Sequence, residues 1–202
     1  RSTGSRRQAR RNNGASIASV IMQFFAVNPP RISWLAWGGG FARFLQMPRV
    51  FTYGPDALQG KMFDRIGPTD FVGPARLSGH RLVFDKPNMK NPEEGLVNVQ
   101  PDPSSQVAGA VFEISRKQME LLDGFFGGYQ QAEVEVLGPD ETAIRATTWT
   151  ARRTKPGLRP SREALEDTRK AIEENGSEGV ELPDFDPLPD PTENDPAEET
   201  PR

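Results

Sequence analysis

Between Arg49 and Asn175 the chain breaks into short β-rich runs, each closed by Gly, Pro, Asn or Asp, and this punctuation restricts the fold more than any other feature. Runs this close together can pair only as hairpins or meanders, so the expected sheet is largely antiparallel. Arg49–Tyr53 reads as a first strand. Leu58, Met62 and Ile66 then recur at helical spacing until Gly67-Pro68 stops that helix. Phe71–Leu77 and His80–Phe84 read as strands around a tight Ser78-Gly79 turn, and Asp85–Glu94 as a polar loop. Leu96–Val99 and Gln106–Ile114 are joined by a Pro-Asp-Pro-Ser-Ser turn. Ser115-Arg-Lys-Gln118 has the form of a capping box ahead of a brief helix that Asp123-Gly124 and Gly127-Gly128 end. Tyr129–Leu137 and Thr142–Ala151 form a second hairpin around Gly138-Pro139-Asp140. A last helix starts at Ser161, buries Leu165, Thr168 and Ile172, and stops at Asn175-Gly176. The expected fold class is α+β, a curved, mostly antiparallel or mixed sheet or small β-barrel with peripheral helices.

The corner at Phe51–Leu58 is where chemistry is expected. A strand that ends at Gly54 and restarts as a helix near Asp56 aims backbone N–H groups into the gap, where an anionic or carboxylate ligand could sit; an ordinary strand-to-helix corner has the same pattern.

The ends differ from this middle. No Asp or Glu precedes Asp56, whereas residues 1–46 carry seven arginines, so residues 1–46 form a basic N-terminal extension. A transit peptide and a nucleic-acid or membrane-surface arm are two readings of it. The preferred third takes Met47 as the natural start, with the earlier residues as translated upstream sequence. The apolar run Ile17–Val27 is broken by Asn28-Pro29-Pro30 and is too short to span a bilayer. From Gly176 to Arg202 (residues 176–202) Pro alternates with Asp and Glu with few bulky residues, the composition of a disordered acidic tail. The folded domain is therefore expected at 47–175.

With no cysteine and one histidine, His80, the chain lacks disulfides, thiolate catalysis and any multi-histidine metal centre. His80 is expected to pack or to lie at the surface.

The ordered pieces from Met47 to Gly176 resemble the γ-glutamylcyclotransferase family, the AIG2-like fold. Tyr53-Gly54-Pro55-Asp56-Ala57-Leu58 stands where that family has Tyr-Gly-Ser-Asn-Leu, and Ala75-Arg-Leu-Ser-Gly-His-Arg-Leu-Val-Phe84 matches its Ala-Arg-Leu-x-Gly stretch. Gly95-Leu-Val-Asn-Val99, Val107-Ala-Gly-Ala-Val-Phe-Glu-Ile114, Leu122-Asp123 ahead of Tyr129, and Pro160-Ser161 follow in the family's order. The resemblance implies a reaction in which the α-amine of a γ-glutamyl compound attacks its own γ-carbonyl, closes 5-oxoproline and expels an amine. One carboxylate would shuttle the proton, contributing of the order of 10²- to 10⁴-fold. It also implies a substrate-binding loop at Tyr53, Gly54, Pro55, Asp56, Ala57 and Leu58, a small γ-glutamyl-type ligand, no cofactor or metal, no nucleic-acid or membrane partner, and a cytoplasmic location.

The departures fall on the chemistry. Phe126 takes the position of the family's Glu, and it can neither accept a proton nor hold an ammonium. Asp56 replaces an Asn, which places a like charge beside the presumed carboxylate site. Pro55 removes one N–H from the loop, and Trp149 falls near a family Tyr. Asp56 is the best substitute base, Asp123 is expected to be structural, Glu93 and Glu94 are remote, and Phe125 and Phe126 are expected to line the core or pocket. Two readings follow, an active cyclotransferase or an impaired pseudoenzyme that binds a small ligand. A nucleic-acid-binding protein is the weakest third.

Overall fold

The computed structural model describes residues 47–176, 180 and 182–189. Residues 1–46, and with them the question of where the protein begins, lie outside the described residues.

The first strand, β1 (Arg49–Tyr53), runs into a 3-10 turn at Gly54–Ala57 and helix α1 (Gln59–Ile66). Two long strands, β2 (Asp70–Pro87) and β3 (Gly95–Glu113), are followed by α2 (Arg116–Phe125). The hairpin β4 (Tyr129–Leu137) and β5 (Ala143–Ala151) precedes α3 (Arg162–Glu174). The sheet closes into a barrel in the order β1-β3-β2-β4-β5, and the seam is a parallel bridge between Val50 and Thr147. The other pairings are antiparallel, as hairpin punctuation predicts.

One expectation is corrected here. Ser78-Gly79 does not end a strand, and neither does Pro101-Asp-Pro-Ser-Ser105. The two stretches face each other across β2 and β3, and the register jumps from Ser78↔Gln106 to His80↔Pro101. The turn-forming residues thus bend one continuous ribbon by a bulge and do not close two hairpins. Asp102 caps the excursion by accepting from the Ser104 N–H and hydroxyl and the Ser105 hydroxyl. Only Asn88–Glu94 remains of the expected polar loop, since Asp85 belongs to β2.

Both faces of β1 and of the Val107–Phe112 stretch of β3 are buried. Alternate residues of the two strands divide between an apolar cluster containing Val50, Ala110, Phe112 and Ile114 and another containing Phe51, Val107 and Val111. Helix α1 adds Leu58, Met62 and Ile66 to the first cluster, and α2 adds Leu122. The capping box of α2 forms as expected. Ser115 Oγ accepts the Gln118 N–H at 3.2 Å, and Gln118 Oε1 accepts the Ser115 N–H at 2.8 Å. Gln118 Nε2 also donates to the carbonyls of Ile66 and Pro68, which locks α2 to the end of α1. In α3, Ser161 caps the first turn, and Leu165, Thr168 and Ala171 are the buried face, while Ile172 is only half buried. Asn175 Nδ2 reaches back to the Ala57 carbonyl at 3.2 Å and so pins the turn after β1.

Residues Leu182–Pro189 form no regular element yet lie on the domain. Leu182 and Phe185 pack against the second cluster, and the Phe185 ring meets Phe84 edge-on at 4.9 Å. The Leu188 N–H donates to the Pro160 carbonyl at 2.8 Å, and Arg159 pairs with Asp186 at 2.7 Å. These contacts engage a segment whose composition is that of a disordered tail. Composition averages over the stretch, whereas two apolar side chains suffice to anchor it. Phe185→Ala is expected to lower stability by about 1–2 kcal/mol, less than a full core deletion because the ring is half buried. An unchanged urea midpoint for this variant would mean that the strap contributes nothing.

Among the described residues no helix is long and apolar enough to cross a membrane, and no group of three His, Asp or Glu side chains is placed to hold a metal.

Candidate functional site

The corner after β1 opens onto a small cavity lined by Phe51, Thr52 and Tyr53 of β1, Asp56 of the turn, Val97 of β3, Phe126 and Tyr129 around the end of α2, and Thr148 and Trp149 of β5. Local sequence explains the shape of the corner. Gly54 adopts φ +61°, and a Cβ there would lie 2.8 Å from a Val97 methyl, so the turn demands glycine for both conformation and space. Pro55 opens the 3-10 turn, where its missing N–H breaks no internal bond. Ala57 and Leu58 turn away into the first apolar cluster.

The cavity is closed by aromatic packing. The Phe126 ring stacks on Trp149 with centroids 4.7 Å apart and planes 24° apart, and meets Tyr129 edge-on at 5.6 Å. Trp149 is fixed in turn, because its Nε1–H donates to Asp123 Oδ1 at 2.8 Å. Gln131 Nε2 donates to the same carboxylate at 2.8 Å. Asp123 therefore orients the indole from outside the cavity. What remains is a volume of about 10 Å³, the room of one water-sized group.

Its polar groups are unevenly engaged. The Tyr53 hydroxyl donates to the Trp149 carbonyl at 2.5 Å, and the Tyr129 hydroxyl to the Val97 carbonyl at 2.6 Å. Burial, followed by the neighbouring phenol and the Asp56 and Asp85 carboxylates, raises the Tyr53 pKa well above the ordinary phenol range. Burial and the same two carboxylates also raise that of Tyr129. Both are neutral donors that are already committed. Thr52, Thr148 and Asp56 are 2%, 1% and 5% exposed; Thr52 Oγ1 and Thr148 Oγ1 make no hydrogen bond to another protein group, and Asp56 Oδ1 is engaged by the Arg65 guanidinium alone. Arg65 Nη2 stands 2.5 Å from Asp56 Oδ1 as an ion pair but is not directed to donate to it. Burial pushes the Asp56 carboxyl above its usual range, and Arg65 and Lys61 partly offset that rise. The Arg65 guanidinium also lies over the rings of Phe125 and Phe126, at 5.4 and 5.6 Å.

Beside the cavity, Lys86 Nζ lies 5.0 Å from the Tyr129 ring centre, with its pKa lowered by burial. Asp85 accepts from Asn98 Nδ2 at 2.8 Å and from Gln100, and Asn98 Oδ1 accepts the Ala151 N–H at 2.9 Å. This network ties β2, β3 and β5 together next to the site.

Of the residues singled out from sequence, Tyr53, Asp56, Phe126 and Trp149 meet at the cavity. Phe125 does not; it is 54% exposed. Glu94 accepts from Asn88 on the β2–β3 loop and neither it nor Glu93 lines the cavity, and His80 lies at the β2 bulge with Nδ1 3.0 Å from the Ser78 carbonyl. Sequence reasoning missed Thr52, Thr148 and Arg65. The two threonines were detectable as hydroxyls inside strands otherwise rich in buried residues, whereas the approach of Arg65 to Asp56 depends on how α1 packs.

No family model matches the sequence, and no curated protein is similar to it at a significant level. Solved structures are. One described as gamma-glutamyl cyclotransferase aligns with a TM-score of 0.61 at 20% identity, over 73% of this chain and 95% of the other. A Homo sapiens protein described as uncharacterized aligns at 0.60 and 20%, with the same coverage. YkqA from Bacillus subtilis aligns at 0.54 and 16%, over 65% of this chain and 50% of YkqA, so the match spans half of that protein.

Proposed function

On a γ-glutamylcyclotransferase-like fold, we propose that this chain is a small-ligand-binding module in which the cyclotransferase reaction has been lost. The observation that carries this reading is the packing of Phe126. Where the resemblance calls for a carboxylate, a phenyl ring lies against Trp149 and Tyr129, and it can neither take a proton from an attacking ammonium nor return one to a leaving amine. The same ring reduces the pocket to the size of one water, so a ligand bound there is a small polar molecule or the small head of a larger one.

A second reading keeps the reaction and gives the proton transfer to Asp56. It is favoured by the buried carboxylate in the cavity wall and by a pKa raised toward the range of a working acid or base. It is opposed by Arg65, which faces that carboxylate at 2.5 Å. The two readings separate in one assay. The wild-type protein, incubated with γ-glutamyl amino acids and γ-glutamyl amines, is expected to release no 5-oxoproline above the uncatalysed background. Steady turnover that disappears in Asp56→Asn would overturn the proposal and establish the second reading.

A further inference from the structure

We propose that the groove between the β2–β3 bulge, α3 and the C-terminal strap is a second binding site, which takes an amphipathic carboxylate with its acid head at Arg81 and its apolar body against the strap. The cavity there has a volume of about 460 Å³ and shares no lining residue with the one after β1. That volume falls within the range of small-molecule sites, about 300–1,000 Å³. Neither the fate of the cyclotransferase reaction nor the ligand of the first cavity bears on it.

The head group follows from charge. Among the described residues that line this cavity, Arg81 is the one that carries a charge. Its guanidinium is held from behind, because Arg81 Nη2 donates to Gln100 Oε1 at 3.0 Å and Gln100 Nε2 donates to the buried Asp85 carboxylate. An ionised carboxylate only accepts, so Asp85 fixes which end of the Gln100 amide turns toward Arg81. Asp102 adds a negative charge nearby, but it does not line the cavity, and its oxygens accept from the Ser104 N–H and hydroxyl and the Ser105 hydroxyl. The remaining guanidinium N–H groups can grip a carboxylate in the two-point geometry that arginine fits best. Arg81 also borders a neighbouring opening of about 290 Å³ beside Phe185, but there Asp85 is part of the wall and repels an anion.

The body follows from the rest of the wall. Leu82, Val107 and Ala108 are 7%, 1% and 4% exposed and give the cavity an apolar floor. Ile172, only half buried in α3, borders the same space, and Val180 and, in the strap, Leu182 complete it. Leu182 is held there by the anchor that follows it, the Phe185 ring on Phe84 and the Arg159 guanidinium on the Asp186 carboxylate and the Pro187 carbonyl. An apolar body in this groove takes surface of both floor and strap out of water, so ligand and strap stabilise each other. A small inorganic anion would use Arg81 and leave the apolar wall wet, and a plain hydrocarbon would leave the guanidinium unmatched.

The test uses the full chain and sodium octanoate, with octan-1-ol and n-octylammonium chloride as neutral and charge-reversed controls, read by the methyl resonances of Ile172 and Leu182. The expected result is a saturable shift of both residues with octanoate, at an affinity about tenfold or more above that of either control. Arg81→Gln should remove that advantage. Phe185→Ala, which loosens the strap without touching the cavity wall, should weaken octanoate binding about threefold or more, since the ligand must then also order the strap. Equal affinity for either control, no saturable shift with octanoate, shifts confined to residues around the cavity after β1, or an unchanged octanoate affinity in either variant would each overturn the proposal. The three probes on wild type keep the test decisive if a variant fails to fold.

Discussion

Gly109→Ala is expected to prevent the barrel from closing, at a cost of about 4 kcal/mol or more. Gly109 pairs with Tyr53 across β1 and β3, and there the two backbones and the Phe51 ring leave no space for a side chain. A Cβ at this position would lie 2.2 Å from the Thr52 carbonyl oxygen and 2.6 Å from two atoms of the Phe51 ring. A flexible side-chain end could move aside; a ladder carbonyl cannot without releasing the strand that carries Phe51, Thr52 and Tyr53. Equilibrium unfolding in urea, or the failure to recover folded protein, measures the effect. A melting temperature within a degree of wild type would show that the interstrand distance can relax and that the strand pair does not require glycine.

If the proposed loss of activity holds, Phe126→Glu is expected to release 5-oxoproline where the wild type does not. Positioned acid–base groups contribute of the order of 10²- to 10⁴-fold, so the gain should be at least about a hundredfold over the wild-type background. Residue 126 follows directly on α2, and the remaining walls, β1, β5 and the Gly54–Ala57 turn, are already in place. A carboxylate at 126 would also replace the stack on Trp149 and face Arg65, whose guanidinium lies 5.6 Å from the present ring centre. The expected gain is therefore accompanied by some loss of thermal stability, and the assay belongs below the variant's own melting temperature. A folded Phe126→Glu protein with no turnover on any γ-glutamyl compound would place the loss of chemistry elsewhere. Adding Asp56→Asn would then test whether the charge at the turn is responsible.

Much of the fold can be read directly from local patterns. The β4–β5 hairpin around Gly138-Pro139-Asp140, the capping box at Ser115 and Gln118, and the Ser161 cap all form where residue types and spacing place them. These are decided within a few residues, by turn conformations and by backbone N–H groups that need a partner nearby. The corner at Tyr53–Asp56 belongs with them. The order of these segments was enough to point to the barrel that the solved structures share.

Other features depend on distant partners. Ser78-Gly79 has the composition of a hairpin turn and becomes a bulge, because the Pro101–Ser105 excursion lies opposite and the two long strands continue to pair beyond it. Leu182 and Phe185 belong to an acidic, Pro-rich stretch and still anchor a strap, because Phe84 and the second apolar cluster offer them a surface. The meeting of Arg65 with Asp56, and the burial of Thr52 and Thr148 without partners, arise from the closure of β5 against β1 and the packing of α1. Turn and cap chemistry is local and so is written in short segments of sequence. Which acceptors are left unsatisfied, and which cation stands over them, depends on the assembled wall, since desolvation is a property of everything that surrounds an atom.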